Sequence, residues 1–120
     1  MDLASQMNAT ATHVGHEVNE FLIAGLTATF GRLVNVPRVA ESPASFECRL
    51  SEIIQLKGAD GEKAEAWLIL GEVVAVHIDK AFIENGIYQT AQARPIVRAG
   101  RKGDYFEIRS DAMFEMERPD

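Results

Sequence analysis

Residues 37–79, PRVAESPASFECRLSEIIQLKGADGEKAEAWLILGEVVAVHID, read as two long strands joined by a polar turn. Phe46, Cys48, Leu50, Ile54 and Leu56 fall on one face of the first strand and Ser45, Glu47, Arg49, Ser51 and Gln55 on the other, the period-two pattern of a half-buried strand. The second run, residues 67–79, is more uniformly apolar. Leu68, Leu70, Val74, Val76 and Ile78 share a face with Glu72, while Trp67, Ile69, Val73 and Ala75 line the other, which predicts a strand covered on both sides. Between the strands, residues 57–65 are polar, with Gly58 and the pair Asp60-Gly61 placed to supply the positive φ of a hairpin turn.

Outward from this block the elements are shorter. Residues 1–7 have helical composition, and the cap-forming stretch 8–12 predicts a helix end near Asn8. Residues 14–24 place Val18, Phe21 and Leu22 at helical spacing, predicting a short helix stopped at Gly25. Leu33 and Val36 suggest a brief extended piece ending at Pro37, and Pro37 and Pro43 bracket a stiff turn. After the hairpin, residues 80–84 read as one helical turn, Asn85-Gly86 as a tight turn, and residues 100–103 as a glycine-bounded turn before a strand starting at Tyr105. The tail, residues 113–118, reads as a final strand or extended arm.

The 120 residues carry a net charge of -6, which argues against a nucleic-acid backbone as partner, since phosphate tracking needs a basic groove. Arg94, Arg98, Arg101 and Lys102 form a local basic cluster, read either as a small-anion site or as a solvated loop face. Cys48 is the single cysteine, so no intrachain disulfide forms; its apolar strand position reads as a small buried hydrophobe. No secretory leader and no run long enough to span a bilayer is visible, giving a cytoplasmic expectation with no membrane partner. So small a chain, with two long strands needing cover, points to help from a second subunit.

Five segments in order carry a family likeness: QMNAT (6–10) with NEFLIAGLT (19–27), PRVAESP (37–43), FEC (46–48) with GEVVAVHID (71–79), ARPIVRAGRKGDYFEI (93–108), and MFEMERP (113–119). Together they resemble the C-terminal part of the flavin reductase-like, FMN-binding split-barrel family. The resemblance implies a mainly β chain with short helices, an antiparallel partial split β-barrel, in a single domain over residues 1–120. It also implies that a front stretch, holding the first barrel strands and part of the flavin cradle, is missing, as in a truncated or short form. FMN is the implied cofactor, NAD(P)H the co-substrate and a homodimer the assembly. In the family the stretch matching residues 95–105 lies beside the flavin and the nicotinamide pocket. By that resemblance Arg98 would pair with a phosphate or the reduced flavin, and Tyr105 would stack or donate a hydrogen bond. Asn8, matching the asparagine of the QMNAT turn, is a third flavin contact or a helix cap.

Other constellations are weaker. His13 and His16 lie three residues apart, as on one face of a helix, but lack a third ligand, and no metal site is expected. His77, near the end of the second strand, reads as a hydrogen-bonded packing residue ahead of a catalyst. Two functional readings result. One is an oxidoreductase moving hydride from reduced nicotinamide to flavin; the other is a non-catalytic split-barrel binding or dimerisation module that has lost flavin binding.

Overall fold

The computed structural model describes residues 3–119. In chain order these form α1 (Ala4–Ala9), α2 (Glu20–Ala24), β1 (Ala28–Phe30), β2 (Pro37–Val39), β3 (Ala44–Lys57), β4 (Lys63–Ile78), β5 (Ile83–Glu84), β6 (Ile87–Tyr88), β7 (Ile96–Arg98) and β8 (Tyr105–Glu107). Short 3-10 turns lie at Lys80–Phe82 and Ser110–Ala112. The strands pair as four antiparallel ladders, β1 with β2, β3 with β4, β5 with β6 and β7 with β8, and none closes into a barrel.

The β3–β4 hairpin dominates, and its turn is set by local chemistry. Gly61 takes a φ of 86°, Gly58 N–H donates to the Glu62 carbonyl at 2.8 Å, and Asp60 Oδ1 accepts the Glu62 N–H at 3.0 Å. Gly58, expected to share the positive φ, does not need it here. Three register shifts interrupt the ladder, between Glu47 and Cys48, between Leu50 and Glu52, and between Gln55 and Lys57. Each extra residue reverses the parity of the strand beyond it.

Those shifts redraw the two faces. Directly opposed residues share a face, so Phe46/Val76, Cys48/Val73, Leu50/Gly71, Ile53/Ile69 and Gln55/Trp67 lie on one side. Ser45/His77, Glu47/Ala75, Arg49/Glu72, Glu52/Leu70 and Ile54/Leu68 lie on the other. Strict alternation would put Ile54 with Phe46 and Leu50, and Val76 with Leu68 and Leu70; the bulges at Ser51 and Val74 separate them.

Neither face is covered within the chain. Phe46 is 64% exposed, Leu50 62%, Trp67 57% and Ile69 66%, and Cys48 is exposed as well. The expectation of a strand covered on both sides, and of a buried Cys48, is thereby corrected: among the described residues only the bend after β1 packs on the hairpin, over Glu47. Among the described residues no hydrophobic side chain is buried, and Glu47 is the one buried residue, at 6% exposure. The accessible surface of 10291 Å² compares with about 6,400 Å² for a compact chain of this mass. A radius of gyration of 17.6 Å against about 14 Å for a compact chain says the same.

The shorter elements obey their local signals with three exceptions. Asn85-Gly86, with φ of 51° and 79°, makes the tight turn of β5–β6. α1 ends at Ala9, one residue past Asn8. The helix expected over residues 14–24 is confined to Glu20–Ala24, because Asn19 Oδ1 accepts the Phe21 N–H at 3.0 Å and caps the helix there. Upstream, Gly15 closes a turn with Val18 instead, and Gly25 ends the helix in the left-handed region. The extended piece expected at Leu33 and Val36 is a bend, and the strand starts where that piece was to stop, at Pro37. The tail beyond Ala112 forms no strand: with no facing edge to pair, Met113, Phe114 and Met116 project at 71%, 76% and 83% exposure.

Candidate functional site

The glycine-bounded turn at residues 99–104 folds β7 back on β8, with Ala99 N–H donating to the Asp104 carbonyl at 2.9 Å. In the resulting register Arg98 stands directly opposite Tyr105. Its guanidinium carbon lies 5.7 Å from the ring centroid, and Nη1 donates to the Tyr105 hydroxyl at 3.4 Å. The pair is solvent-facing, so a cation backed by an aromatic ring is presented outward.

Two further arginines of this cluster are engaged separately. Arg94 Nε bonds Glu107 Oε1 at 2.6 Å, and Arg101 Nε bonds Asp104 Oδ2 at 2.7 Å. Further along, Arg109 and Asp111 bond through two contacts of 3.0 Å, which lowers the carboxyl and raises the guanidinium from their ordinary values. Of the basic cluster read from the sequence, Arg94 and Arg101 are thus taken by acidic neighbours, while Arg98 stands on Tyr105.

Beside this hairpin lies an open cleft of about 410 Å³, walled by Pro43, Phe82, Tyr88, Pro95 and Ile96, with Leu3 and Ala4 of α1 at its margin. Ile96, two residues before Arg98 on β7 and on the same face, is the last of the hairpin to line the cleft; Arg98 and Tyr105 lie beyond its lining. Asn8 sits exposed inside the last turn of α1, with its carbonyl accepting the Ala11 N–H at 3.2 Å; it does not cap the helix and does not line the cleft.

A second cluster forms where the bend after β1 meets the hairpin. Glu47 Oε1 accepts the Arg32 N–H at 2.7 Å, and Oε2 accepts those of Leu33 at 2.7 Å and Val34 at 2.8 Å. His77 Nε2 lies 2.5 Å from Oε1, reaching diagonally across the ladder. A carboxylate removed from water is costly unless its oxygens are satisfied, and here four donors surround it. The His77 hydrogen bond first, and the backbone N–H groups after it, hold the Glu47 carboxyl down from an ordinary 4.5 to about 2, against the opposing effect of burial. A Cβ at position 31 would overlap the Glu47 carboxyl group, so any larger residue there must displace the carboxyl or the bend. Nearby, Glu41 accepts the Thr27 N–H at 2.9 Å, and that bonding lowers its carboxyl from the ordinary value.

Sequence reasoning placed His77 as a hydrogen-bonded residue and left its partner open; the partner is Glu47, which alternation had assigned to a polar, wet face. The one signal pointing to it was the glutamate of FEC on the same parity as Arg49 and Ser45, with a histidine at the far end of the facing strand. His13 and His16 precede α2 and so do not share a helical face, and among the described residues no three metal-ligating groups cluster. No described helix is long and apolar enough to cross a membrane.

Comparison with known proteins agrees with this architecture. The flavin reductase like domain matches residues 2–96. An uncharacterized protein of Halalkalibacterium halodurans is 33% identical over 94% of this chain and 52% of its own length. Nitrilotriacetate monooxygenase component B from Bacillus cereus superposes with a TM-score of 0.81 at 28% identity, covering 92% of this chain and 53% of that one. A protein of Shewanella frigidimarina with a split barrel domain superposes at 0.78, with 20% identity, over 98% of this chain and 56% of that one, which shows the fold alone. The chain spans about half the length of the relatives it matches.

Proposed function

Since the chain belongs to the flavin reductase-like family, we propose that it serves as an FMN-binding oxidoreductase in which hydride passes from NAD(P)H to flavin. The observation that carries this reading is the Arg98–Tyr105 pair, standing outward beside a cleft with aromatic and proline walls. The donor set suits a phosphorylated aromatic cofactor: a guanidinium for the phosphate and rings for the isoalloxazine. FMN, when bound, supplies the hydride chemistry. In this proposal Arg98 binds the anionic portion, Tyr105 orients the ring edge, and Asn8 on α1 is a third, outlying contact.

The same reading includes a homodimer and a cytoplasmic setting. The uncovered hairpin face supports association, since exposed apolar patches beyond a few hundred Å² mark interaction surfaces. The excess of roughly 3,900 Å² over a compact chain exceeds the roughly 1,000–2,500 Å² that each partner buries in a large obligate interface.

The test is a titration of the purified chain with FMN, monitored by flavin absorbance and by quenching of flavin fluorescence. Saturable uptake supports the reading. A colourless chain that ignores FMN but self-associates would favour the alternative, a non-catalytic split-barrel module; the uncovered hairpin is the observation on its side.

A further inference from the structure

A separate open cleft of about 800 Å³ lies between the bend after β1, strand β2 and the C-terminal end of β4. Its charged lining is Arg32, Arg38, Glu41, His77 and Asp79. Each of the two carboxylates already accepts a backbone N–H, Asp79 through one oxygen. Glu41 takes the Thr27 N–H through both oxygens, at 2.9 and 3.1 Å, and Asp79 Oδ1 takes the Ala81 N–H at 2.9 Å. His77 is turned to Glu47, whose own oxygens are filled by the N–H groups of residues 32–34.

The donors are not in use. Among the described residues neither Arg32 nor Arg38 forms an ion pair, and Arg38 Nε is shielded from solvent with no acceptor. A buried N–H without a partner is uncommon, and it asks for an acceptor from outside the chain. The backbone of each arginine is fixed: Arg38 by its pairing with Thr29 in the β1–β2 ladder, and Arg32 by the Glu47 carboxylate on its backbone N–H. Two guanidiniums that find no acceptor among the described residues, beside carboxylates already bonded to backbone N–H groups, suit a ligand that brings its own acceptor oxygens. We propose that this cleft binds a phosphate group through Arg32 and Arg38, with the Glu47–His77 pair fixing the bend that presents Arg32. Guanidinium forks match the oxygen geometry of phosphate, and a cleft of this size admits the body of a phosphorylated small molecule. The assignment does not rest on the flavin reading, since these residues are distinct from Arg98 and Tyr105.

The experiment is calorimetric titration of the full chain with inorganic pyrophosphate at constant ionic strength. Saturable binding is expected, weakened about tenfold or more in Arg38→Gln and in Arg32→Gln, as for loss of a hydrogen bond to a charged group. Arg49→Gln, an exposed arginine outside the cleft, leaves it unchanged. If Arg38→Gln alters the circular dichroism, Arg32→Gln, whose side chain is exposed, decides. Displacement of pyrophosphate by FMN identifies the phosphate as that of the flavin; pyrophosphate binding that persists with FMN present identifies a separate phosphorylated molecule. Absence of saturable binding, or equal affinity in wild type and both cleft variants, overturns the proposal.

Discussion

Glu47 and His77, thirty positions apart in the chain, meet across the β3–β4 ladder with His77 Nε2 2.5 Å from Glu47 Oε1. The same carboxylate gathers three consecutive backbone N–H groups from residues 32–34, so one side chain ties the bend after β1 to the hairpin. Glu47→Gln keeps the shape but exchanges an ion with four donors for an amide that offers one acceptor oxygen. A fall in Tm of several degrees is expected, together with faster amide exchange at residues 32–34; unchanged exchange there would show that the bend holds without the carboxylate.

The pH dependence has a definite sign. Because the Glu47 carboxyl is held at about 2 when folded, its contribution is complete above the ordinary carboxylate value of 4.5 and is lost as pH falls from there through about 2. Stability measured by urea unfolding should therefore decline over that acid window in the wild type. The decline should be shallower in Glu47→Gln, and parallel curves would contradict the assignment.

Gly31→Ala puts a Cβ into the space of the Glu47 carboxyl group, so the bend must move or the carboxylate must leave its donors. The expected cost is about 1–3 kcal/mol, in the range for overpacking a closely fitted site. Combined with Glu47→Gln, the two losses should fall short of additivity, because both act on one interaction. A double-mutant cycle by chemical denaturation reads this directly, and additive losses would separate the two positions.

On the other face of the hairpin, Leu50 and Ile69 are each more than 60% exposed. Leu50→Lys and Ile69→Lys replace apolar contact area by charge on a surface read as an interface. Sedimentation velocity should show the proposed dimer shifting to a smaller species in either variant, with circular dichroism of the hairpin retained. Identical sedimentation to wild type would place association elsewhere.

For the flavin reading, Arg98→Ala should weaken FMN about tenfold through loss of a charge-assisted contact. Tyr105→Phe, which keeps the ring and removes the hydroxyl bonded to Arg98, should have a smaller effect. Fluorescence titration measures both. Equal FMN affinity in all three proteins would remove the β7–β8 hairpin from the cofactor site.

Local signals are read well wherever one or two residues decide the backbone. Asn85-Gly86, Asp60-Gly61 and the left-handed Gly25 end their elements where the chain says they should, because a positive φ is a property of the residue itself. Helix length at residues 14–24 was less legible, since Asn19 can join a helix or cap one and only the completed cap decides.

The sequence by itself determined that the run from Phe46 and the run over 67–79 pair as a hairpin about Asp60-Gly61, and which family the chain resembles, because alternation, turn chemistry and motif order are all written in neighbouring residues; the structure shortens the polar connection read at 57–65 by starting β4 at Lys63. Tertiary structure alone decided which side chains share a face, since an extra residue at Ser51 or Val74 reverses parity and no local preference announces it. It alone decided, too, that Glu47 is the buried residue while Phe46, Leu50 and Ile69 stand in solvent. Burial depends on what packs against a strand, and the donors that make Glu47 tolerable come from a bend fifteen residues away.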